Sequence, residues 1–251
     1  MNYQFEPNEL PYGILEHYGL TQEMVEDLPL DVLQKIYKGQ RSPVLPVRFQ
    51  AEDGEVVSDR TQFSLVRMED GKVDVLFYPV FEETNLSLFD ETQRQRLEAN
   101  RPIIGYRNEG ETEAERGPKC FIQLDPENKH VLSVPTSVIG RNLQHVMDRE
   151  HLTGAEIQKM QNGEVLTITD GNQLISIGID LSYKSGIRYA AGDEETWKRE
   201  SKREWDKYTF GAFGCWVMDD NGNLDYVCEE DYTEELWNEQ KKQGMRMMHQ
   251  R

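Results

Sequence analysis

Apolar residues recur along the chain at a spacing that divides most of it into units of about 60 residues. In each unit an apolar residue is followed eight positions later by Ile, Leu or Met and eleven positions later by Gly or Asn. The three instances are Leu28, Ile36 and Gly39; Phe89, Leu97 and Asn100; and Leu152, Met160 and Gly163. Eight residues make slightly more than two helical turns, and Gly or Asn suits the left-handed conformation that ends many helices. The pattern therefore predicts one amphipathic helix per unit.

Runs of β-prone residues follow each predicted helix. They are Val44–Phe49, Ile103–Tyr106 and Val165–Ile168 directly after the helices, then Leu65–Pro79, Phe121–Pro135, Leu174–Ile179 and Ile187–Ala190. In the first long run, Asp70 and Gly71 predict a two-residue hairpin turn. We therefore predict an α+β fold with three helix-plus-antiparallel-hairpin modules, the third of them abbreviated. The alternative is three unrelated segments of helix and hairpin.

Two short helices precede the first module. They are predicted over 11–18, ended by Gly19, and over 22–27, capped by Thr21. We divide the chain into a helical N-terminus with the first module (1–82), the second module (83–148), the third module (149–192) and an acidic C-terminal helix-hairpin-helix unit (193–251). The acidic stretch 108–118 is interpreted as a mobile loop, with an ordered acidic recognition arm as the alternative.

The C-terminal unit opens with a predicted helix over 193–207. Trp197, Trp205 and Tyr208 lie on this segment and form an aromatic stripe. Stripes of this kind usually face a core, so we interpret the helix as docked on the body of the protein. A ligand platform is the alternative.

A hairpin with a testable register follows this helix. If Asn221 and Gly222 form a two-residue turn, Cys215 lies opposite Cys228 in a non-hydrogen-bonded pair, where Cα atoms approach to about 4.5 Å. That distance is compatible with a disulfide, so the two cysteines are a candidate redox pair. Two buried free thiols are the alternative, because disulfides are rare in reducing compartments.

Short motifs in the modules resemble known families. In the first two modules these are Gly19–Gln22, Leu28–Leu30, Ser64–Arg67, Asp70–Val73, Pro79 and Ser133–Pro135; in the third they are Leu152–Thr153, Asn162–Gly163, Gly178–Leu181 and Gly186–Arg188. The first set resembles a domain of unknown function from Bacteroidota mobile elements, and the other set is similar to a further domain that often accompanies it. Together they cover residues 1 to about 190. The resemblance implies an accessory protein of a conjugative element or related mobile DNA, where similar domains lie beside modules such as topoisomerases, and it implies no activity.

The charge of the chain is acidic and concentrated. There are 46 Asp and Glu against 28 Lys and Arg, a formal net charge of -18, and residues 219–240 carry nine of the acids and no Lys or Arg. A negative surface repels phosphate backbones and anionic lipids, so we expect no direct binding to nucleic-acid backbones or to membranes. Acids among aromatic residues can instead bind a basic or DNA-binding protein; the alternative is a solvated face beside a core stripe. The candidate partner-binding residues are Glu229, Glu230, Asp231, Tyr232, Glu234, Glu235 and Trp237.

No catalytic, metal or nucleotide motif stands out in the sequence. His145, Asp148 and His151 are spaced so that the two histidines point in different directions on a helix, unlike the i, i+4 pair of zinc proteases, so we predict no metal. The three cysteines are too few and too far apart for a zinc site, and no cofactor is implied. Neither a signal peptide nor a run of about 18 apolar residues is present, so a cytoplasmic location is expected.

These features favour a non-enzymatic accessory or protein-binding protein of a bacterial mobile genetic element. One alternative is an acidic inhibitor that imitates nucleic acid and occupies a host defence enzyme. The other is a small-molecule binder or hydrolase whose site is assembled between modules, which would require a pocket with convergent polar groups.

Overall fold

The computed structural model describes residues 4–51, 53–108, 110–200 and 205–249. Within these ranges the chain forms α-helices and four antiparallel sheets of three strands each. The predicted α+β class with helix-plus-hairpin modules is therefore confirmed. The chain divides into two compact units, which we call the first unit (residues 1–80 with 204–251) and the second unit (residues 81–203). The finer division into four regions stays a prediction.

The elements alternate between short helices and short strands. The helices are α1 (Tyr12–His17), α2 (Gln22–Glu26), α3 (Leu30–Tyr37), α4 (Glu91–Glu98), α5 (Glu113–Arg116), α6 (Thr136–Glu150), α7 (Gly154–Gln161), α8 (Glu194–Glu200) and α9 (Glu234–His249), with 3-10 helices at Pro7–Glu9 and Glu229–Asp231. The strands are β1 (Leu45–Gln50), β2 (Val56–Arg67), β3 (Val73–Pro79), β4 (Ile103–Gly105), β5 (Cys120–Leu124), β6 (Val131–Pro135), β7 (Leu166–Asp170), β8 (Gln173–Ile179), β9 (Ile187–Ala191), β10 (Tyr208–Phe210), β11 (Gly214–Met218) and β12 (Leu224–Cys228). In every sheet the strands lie side by side in sequence order.

Each predicted repeat helix is followed by one three-stranded sheet. Helix α3 precedes β1–β3, α4 precedes β4–β6, and α7 precedes β7–β9. The residues predicted to end these helices, Gly39, Asn100 and Gly163, have φ angles of 75°, 55° and 81°. The second apolar residue of each pattern is fully buried in all three cases, at Ile36, Leu97 and Met160. The sequence pattern therefore located the helices and the left-handed residues that terminate them.

The core of the first unit joins residues from both ends of the chain. Phe63 and Leu65 on β2 pack in one cluster with the N-terminal helices, and Trp216 and Leu224 from β11 and β12 belong to the same cluster. Trp216 is completely buried, and its indole Nε1 donates a hydrogen bond to the carbonyl oxygen of Met24 at 3.1 Å. The C-terminal sheet is thus an integral part of the first unit.

In the second unit the central strand of the sheet β4–β6, β5, is covered on both faces. Ile122 on β5 packs with Leu97 of α4, whereas its neighbour Phe121 packs with Ile139 and Leu143 of α6. Successive strand residues point to opposite faces, so a strand between two apolar layers needs apolar residues at consecutive positions. This explains why Cys120–Ile122 forms an uninterrupted buried run.

The predicted two-residue turns are wrong by one residue. The amide of Met68 donates to the carbonyl of Lys72 at 2.8 Å, and that of Asp219 donates to the carbonyl of Asn223 at 2.9 Å, so both hairpins have three-residue loops. Gly71 and Gly222 take the third loop position, with φ of 85° and 84°. A three-residue loop that ends in a left-handed glycine is the next commonest hairpin connection after the two-residue turns.

This shift changes the register of the last hairpin. Cys228 lies opposite Gly214, and Cys215 lies opposite Val227. The prediction that Cys215 faces Cys228 is therefore wrong, because a one-residue slip moves a strand's side chains to the other face of the sheet. Cys215 is buried and Cys228 is exposed, and both are free thiols.

The predicted aromatic stripe on one helix is also wrong. Helix α8 ends at Glu200, residues 201–204 lie outside the described ranges, and Trp205 precedes strand β10, which contains Tyr208. Trp197 is buried on α8 in the second unit, whereas Trp205 packs against the core of the first unit. The two indoles therefore pack in different units. The spacing of aromatic residues along one segment could not reveal this, because it assumes a single helix.

The acidic stretch 108–118 contains helix α5. The hydroxyl of Thr112 accepts a hydrogen bond from the amide of Glu115 at 3.3 Å, and the Glu115 carboxylate accepts from the amides of Glu111 and Thr112. These bonds hold the pKa of Glu115 below its usual value. The stretch is therefore partly helical, in contrast to the predicted loop.

Candidate functional site

The predicted partner-binding residues lie in one short segment at the junction of β12 and α9. The 3-10 helix Glu229–Asp231 follows β12 directly. Thr233 then caps the N-terminus of α9, since its hydroxyl accepts from the amide of Leu236 at 3.4 Å and its carbonyl from the amide of Trp237 at 3.1 Å. All five acids of this segment that were predicted to bind a partner have exposed side chains: Glu229, Glu230, Asp231, Glu234 and Glu235. We call these acids, with Tyr232 and Trp237, the acid–aromatic surface.

The aromatic residues of the surface pack edge to face. The ring centroids of Tyr232 and Trp237 are 5.1 Å apart with the planes at 67°, and those of Tyr232 and Phe210 are 5.9 Å apart at 71°. Tyr232 is half-buried, while Trp237 keeps 38% of its area exposed. Phe213, which is 47% exposed, lies beside the acids because its carbonyl accepts from the amide of Glu229 at 3.0 Å. The contact with Tyr232 thus orients the indole while part of Trp237 stays accessible to solvent.

Phe210 and Phe213 are site residues that the sequence reasoning missed. They come from β10 and the loop after it, about twenty positions before the acids. The segment Thr209–Trp216 carries interleaved glycines and aromatics, but its glycines do not have the spacing of a nucleotide-binding loop. Only the pairing of β10 with β11 and β12 brings these rings to the surface.

Helix α9 is anchored to the sheet by its first turns. Leu236 is buried, and the side-chain amide of Gln243 donates to the carbonyl of Tyr208 at 3.2 Å. The phenol of Tyr208 donates to Oε1 of Glu235 at 2.6 Å, and this bond is the main reason that the pKa of Tyr208 is raised. Leu236 therefore packs as a core residue, as the alternative to a binding surface predicts, whereas Trp237 is partly exposed to solvent.

The local field at the surface is negative. Partial desolvation raises the pKa of the exposed Cys228, and the charges of Asp231 and Glu230 raise it further. Burial also raises the pKa of Tyr232 well above its usual value, with a contribution from Glu229. The first unit as a whole has 25 acidic and 12 basic residues, a net charge of -13 out of -18 for the chain. A cationic side chain placed against Trp237 would gain from both the ring face and the acids.

A buried carboxylate fixes the loop that carries Phe213. Asp27, which is 5% exposed, accepts from the amide of Ala212 at 2.6 Å, from the amide of Phe213 at 3.0 Å and from the phenol of Tyr226 at 2.5 Å. Burial and this bond raise the pKa of Tyr226 far above its usual value. A Cβ at Gly211 would collide with the side chain of Asp27, so only glycine fits there. We call this arrangement the Asp27 anchor.

The other sequence candidates are not brought together. Burial raises the pKa of the Cys215 thiol to about 11, which makes it a poor nucleophile at neutral pH. His145 is exposed on α6, and His151 ends that helix with φ of 54°. Across the residues that the structure describes, no three His, Cys, Asp or Glu side chains are grouped as metal ligands.

The molecule is thus an α+β protein of small sheet modules with an exposed acidic and aromatic segment after β12. Residues 5–88 match the model of a protein family of unknown function, DUF4099. This range spans the N-terminal helices and the first module, so the domain of unknown function expected there is present. Neither the curated proteins nor the solved structures include a match to the chain. Among the described residues, none of the helices has the length and apolar character needed to cross a bilayer.

Proposed function

We propose that this chain is a non-enzymatic accessory protein that binds a basic protein partner through the acid–aromatic surface. The observation that carries the proposal is a segment, residues 229–237, in which five exposed acids occur together with Trp237, a residue that packs edge to face on Tyr232 and is 38% exposed. Interaction hot spots are enriched in tryptophan, tyrosine and arginine, and a ring that is already ordered loses little entropy on binding.

The acids and the ring have separate roles in this proposal. Exposed charges act mainly on the rate and specificity of association, because they attract a basic partner over a distance of about one Debye length. The indole then supplies contact area and, with a Lys or Arg of the partner, a cation–π interaction of roughly 0.5–2 kcal/mol. We therefore expect substitutions of the acids to slow association and substitution of Trp237 to speed dissociation.

The cellular setting belongs to the same proposal. The family matched by residues 5–88 has no assigned activity, and motifs in all three modules resemble domains carried by Bacteroidota mobile elements. An accessory role in a conjugative element is supported by that resemblance, and a basic DNA-processing protein would be a suitable partner. Genes for conjugation or DNA processing beside this one would strengthen this setting, and a housekeeping operon would contradict it.

The test uses the full chain, because deletion of the tail would remove core residues. Trp216 and Leu224 belong to the core of the first unit, so a truncation at residue 209 would unfold it. We would titrate labelled twelve-residue peptides, one rich in Arg and Lys and one with Glu at those positions, into the wild type, Trp237→Ala and the double variant Glu229→Lys with Glu230→Lys. The control is Glu16→Lys with Glu69→Lys, two exposed acids of the same unit that do not belong to the acid–aromatic surface.

The expected result is binding of the basic peptide only, with a loss of about tenfold for Trp237→Ala and a larger loss for the site double variant. The control pair should keep most of the affinity. Equal affinity for the wild type and Trp237→Ala would overturn the proposal.

An inhibitor that imitates nucleic acid is a second candidate, favoured by the net charge of -13 on the first unit. Binding of that kind depends on charges spread over a long face, and it falls steeply with salt. In the same titration, the control pair would then weaken binding as much as the site pair, and Trp237→Ala would have no effect.

A further inference from the structure

An open groove of about 740 Å³ lies along strand β4 in the second unit. Leu88 and Phe89, just before α4, line it together with Ile104 of β4. Arg116 and Lys119, from the segment that leads into β5, complete it. The groove is distinct from the acid–aromatic surface, since it belongs to a different unit.

Strand β4 is the outer strand of its sheet. Its inner edge pairs with β5, with Ile104 opposite Phe121, and no strand of the described ranges pairs with its outer edge. Ile103 is buried toward α4, so Ile104, which is 47% exposed, points to the opposite face. A strand edge that pairs with no other strand offers amide and carbonyl groups to which an extended peptide can add as a further strand.

Two cations gather on one ring beside this edge. The guanidinium carbon of Arg116 lies 4.9 Å from the ring centroid of Tyr106, and Nζ of Lys119 lies 6.0 Å from it. Tyr106 follows β4 directly and also lines the groove, as does one acid, Glu111. In a chain with 18 more acids than bases, a groove with two such cations is suited to an anionic ligand.

We propose that the groove binds an extended acidic peptide of a partner protein, which pairs with the outer edge of β4. Side chains alternate along a strand, so one face of the peptide would meet Phe89 and Leu88 and the other would meet Ile104 and Lys119. The expected ligand therefore alternates apolar residues with Asp or Glu. Backbone hydrogen bonds to β4 supply affinity, and the carboxylates beside Arg116 and Lys119 supply selectivity.

The test is selection of peptides from a random twelve-residue phage library on the immobilised full chain. Selected peptides would be synthesised, labelled and titrated into the wild type, Ile104→Arg, and the double variant Arg116→Glu with Lys119→Glu. The controls in the same unit are Leu174→Arg, at a side chain 49% exposed, and Arg141→Glu with Lys184→Glu, two exposed cations. Lys119→Gln serves as a milder variant if the double reversal reduces folding.

We expect enriched peptides with alternating apolar and acidic residues, whose affinity falls at least tenfold in both groove variants and stays within twofold in both controls. Hydrogen exchange at Ile103–Tyr106 should slow when peptide is bound, as strand addition requires. Enrichment of no peptide above the uncoated surface, or peptides whose affinity is unchanged by Ile104→Arg, would overturn the proposal. Basic peptides that depend on Trp237 would report on the acid–aromatic surface, so the two proposals can fail independently.

Discussion

Each unit contains a buried charged side chain that binds another segment of the chain, Asp27 in the first unit and Arg188 in the second, and the two charges are opposite in sign. In the first unit Asp27 receives two backbone amides and a phenol, all of them neutral. In the second unit Arg188, which is 3% exposed, donates to the carbonyl of Trp197 at 2.9 Å and has its Nε 3.1 Å from Oδ2 of Asp180. Its guanidinium carbon also lies 3.5 Å from the Trp197 ring centroid. We call this second arrangement the Arg188 anchor.

The contrast shows how each charge tolerates burial. A carboxylate can be satisfied by backbone amides of a single loop, provided that the loop approaches closely, which is why Gly211 contacts Asp27. A guanidinium has five donors and needs an acid and a ring face as well. The ring must also fit tightly: a Cβ at Gly178 would lie 3.1 Å from Cζ2 of Trp197. Loss of Asp180 should therefore destabilise the Arg188 anchor more than loss of Asp27 destabilises the Asp27 anchor.

Removal of the acid from the Arg188 anchor should have the largest effect. Asp180→Ala leaves Arg188 buried without its carboxylate, and we expect the free energy of unfolding of the second unit to fall by about 3–5 kcal/mol. Hydrogen exchange of β8, β9 and α8 measures this unit separately from the first. The double variant Asp180→Ala with Arg188→Met is the matched comparison, because it removes both charges and should recover part of the loss. A double variant that is less stable than Asp180→Ala would contradict this account of the anchor.

The Asp27 anchor should respond less strongly. Asp27→Ala removes the acceptor of the amides of Ala212 and Phe213 and of the phenol of Tyr226. Water can replace part of it near the exposed Phe213, so we expect the free energy of unfolding of the first unit to fall by about 2–3 kcal/mol. Tyr226→Phe removes only one donor and should cost about 1 kcal/mol. Hydrogen exchange of β11 and β12 is the measurement. If the two variants cost the same, the amides of Ala212 and Phe213 contribute nothing to the anchor.

The smallest expected effect is a change in the rate at which buried cysteines react with a thiol reagent, which measures local opening of each unit. At pH 8 we expect iodoacetamide to modify the exposed Cys228 first, while Cys215, with a pKa of about 11, carries only about a thousandth of its thiol as thiolate. Because burial raises this pKa, labelling of Cys215 should accelerate as pH rises toward that value. Asp27→Ala should increase its rate, and Cys120 in the second unit serves as the unaffected reference. Equal acceleration of Cys120 and Cys215 would show that the variant loosens both units.

Features that depend on neighbours in the chain were predictable. Thr21 caps α2 as expected, with its hydroxyl accepting from the amide of Met24 at 3.3 Å, and Gly19 ends α1 with φ of 77°. The five acids from Glu229 to Glu235 are exposed, as a run without basic residues predicts. The prediction of a two-residue turn at Asn221 and Gly222 was wrong because the loop has three residues. Asp219 stabilises this longer loop, since its carboxylate accepts from the amides of Asn221 and Asn223. Local propensity alone does not distinguish these two loop lengths.

Periodicity and composition within short segments were enough to locate the helix and strand repeats, the left-handed residues that end the helices and the concentration of charge near the C-terminus. Which segments share a core emerged only in three dimensions, as when Asp27 binds the amide of Ala212, 185 positions away. The same is true of Phe213 beside the acids and of Ile104 in the groove along β4. Such contacts follow from burial and hydrogen-bond satisfaction across the whole molecule, which no local pattern encodes.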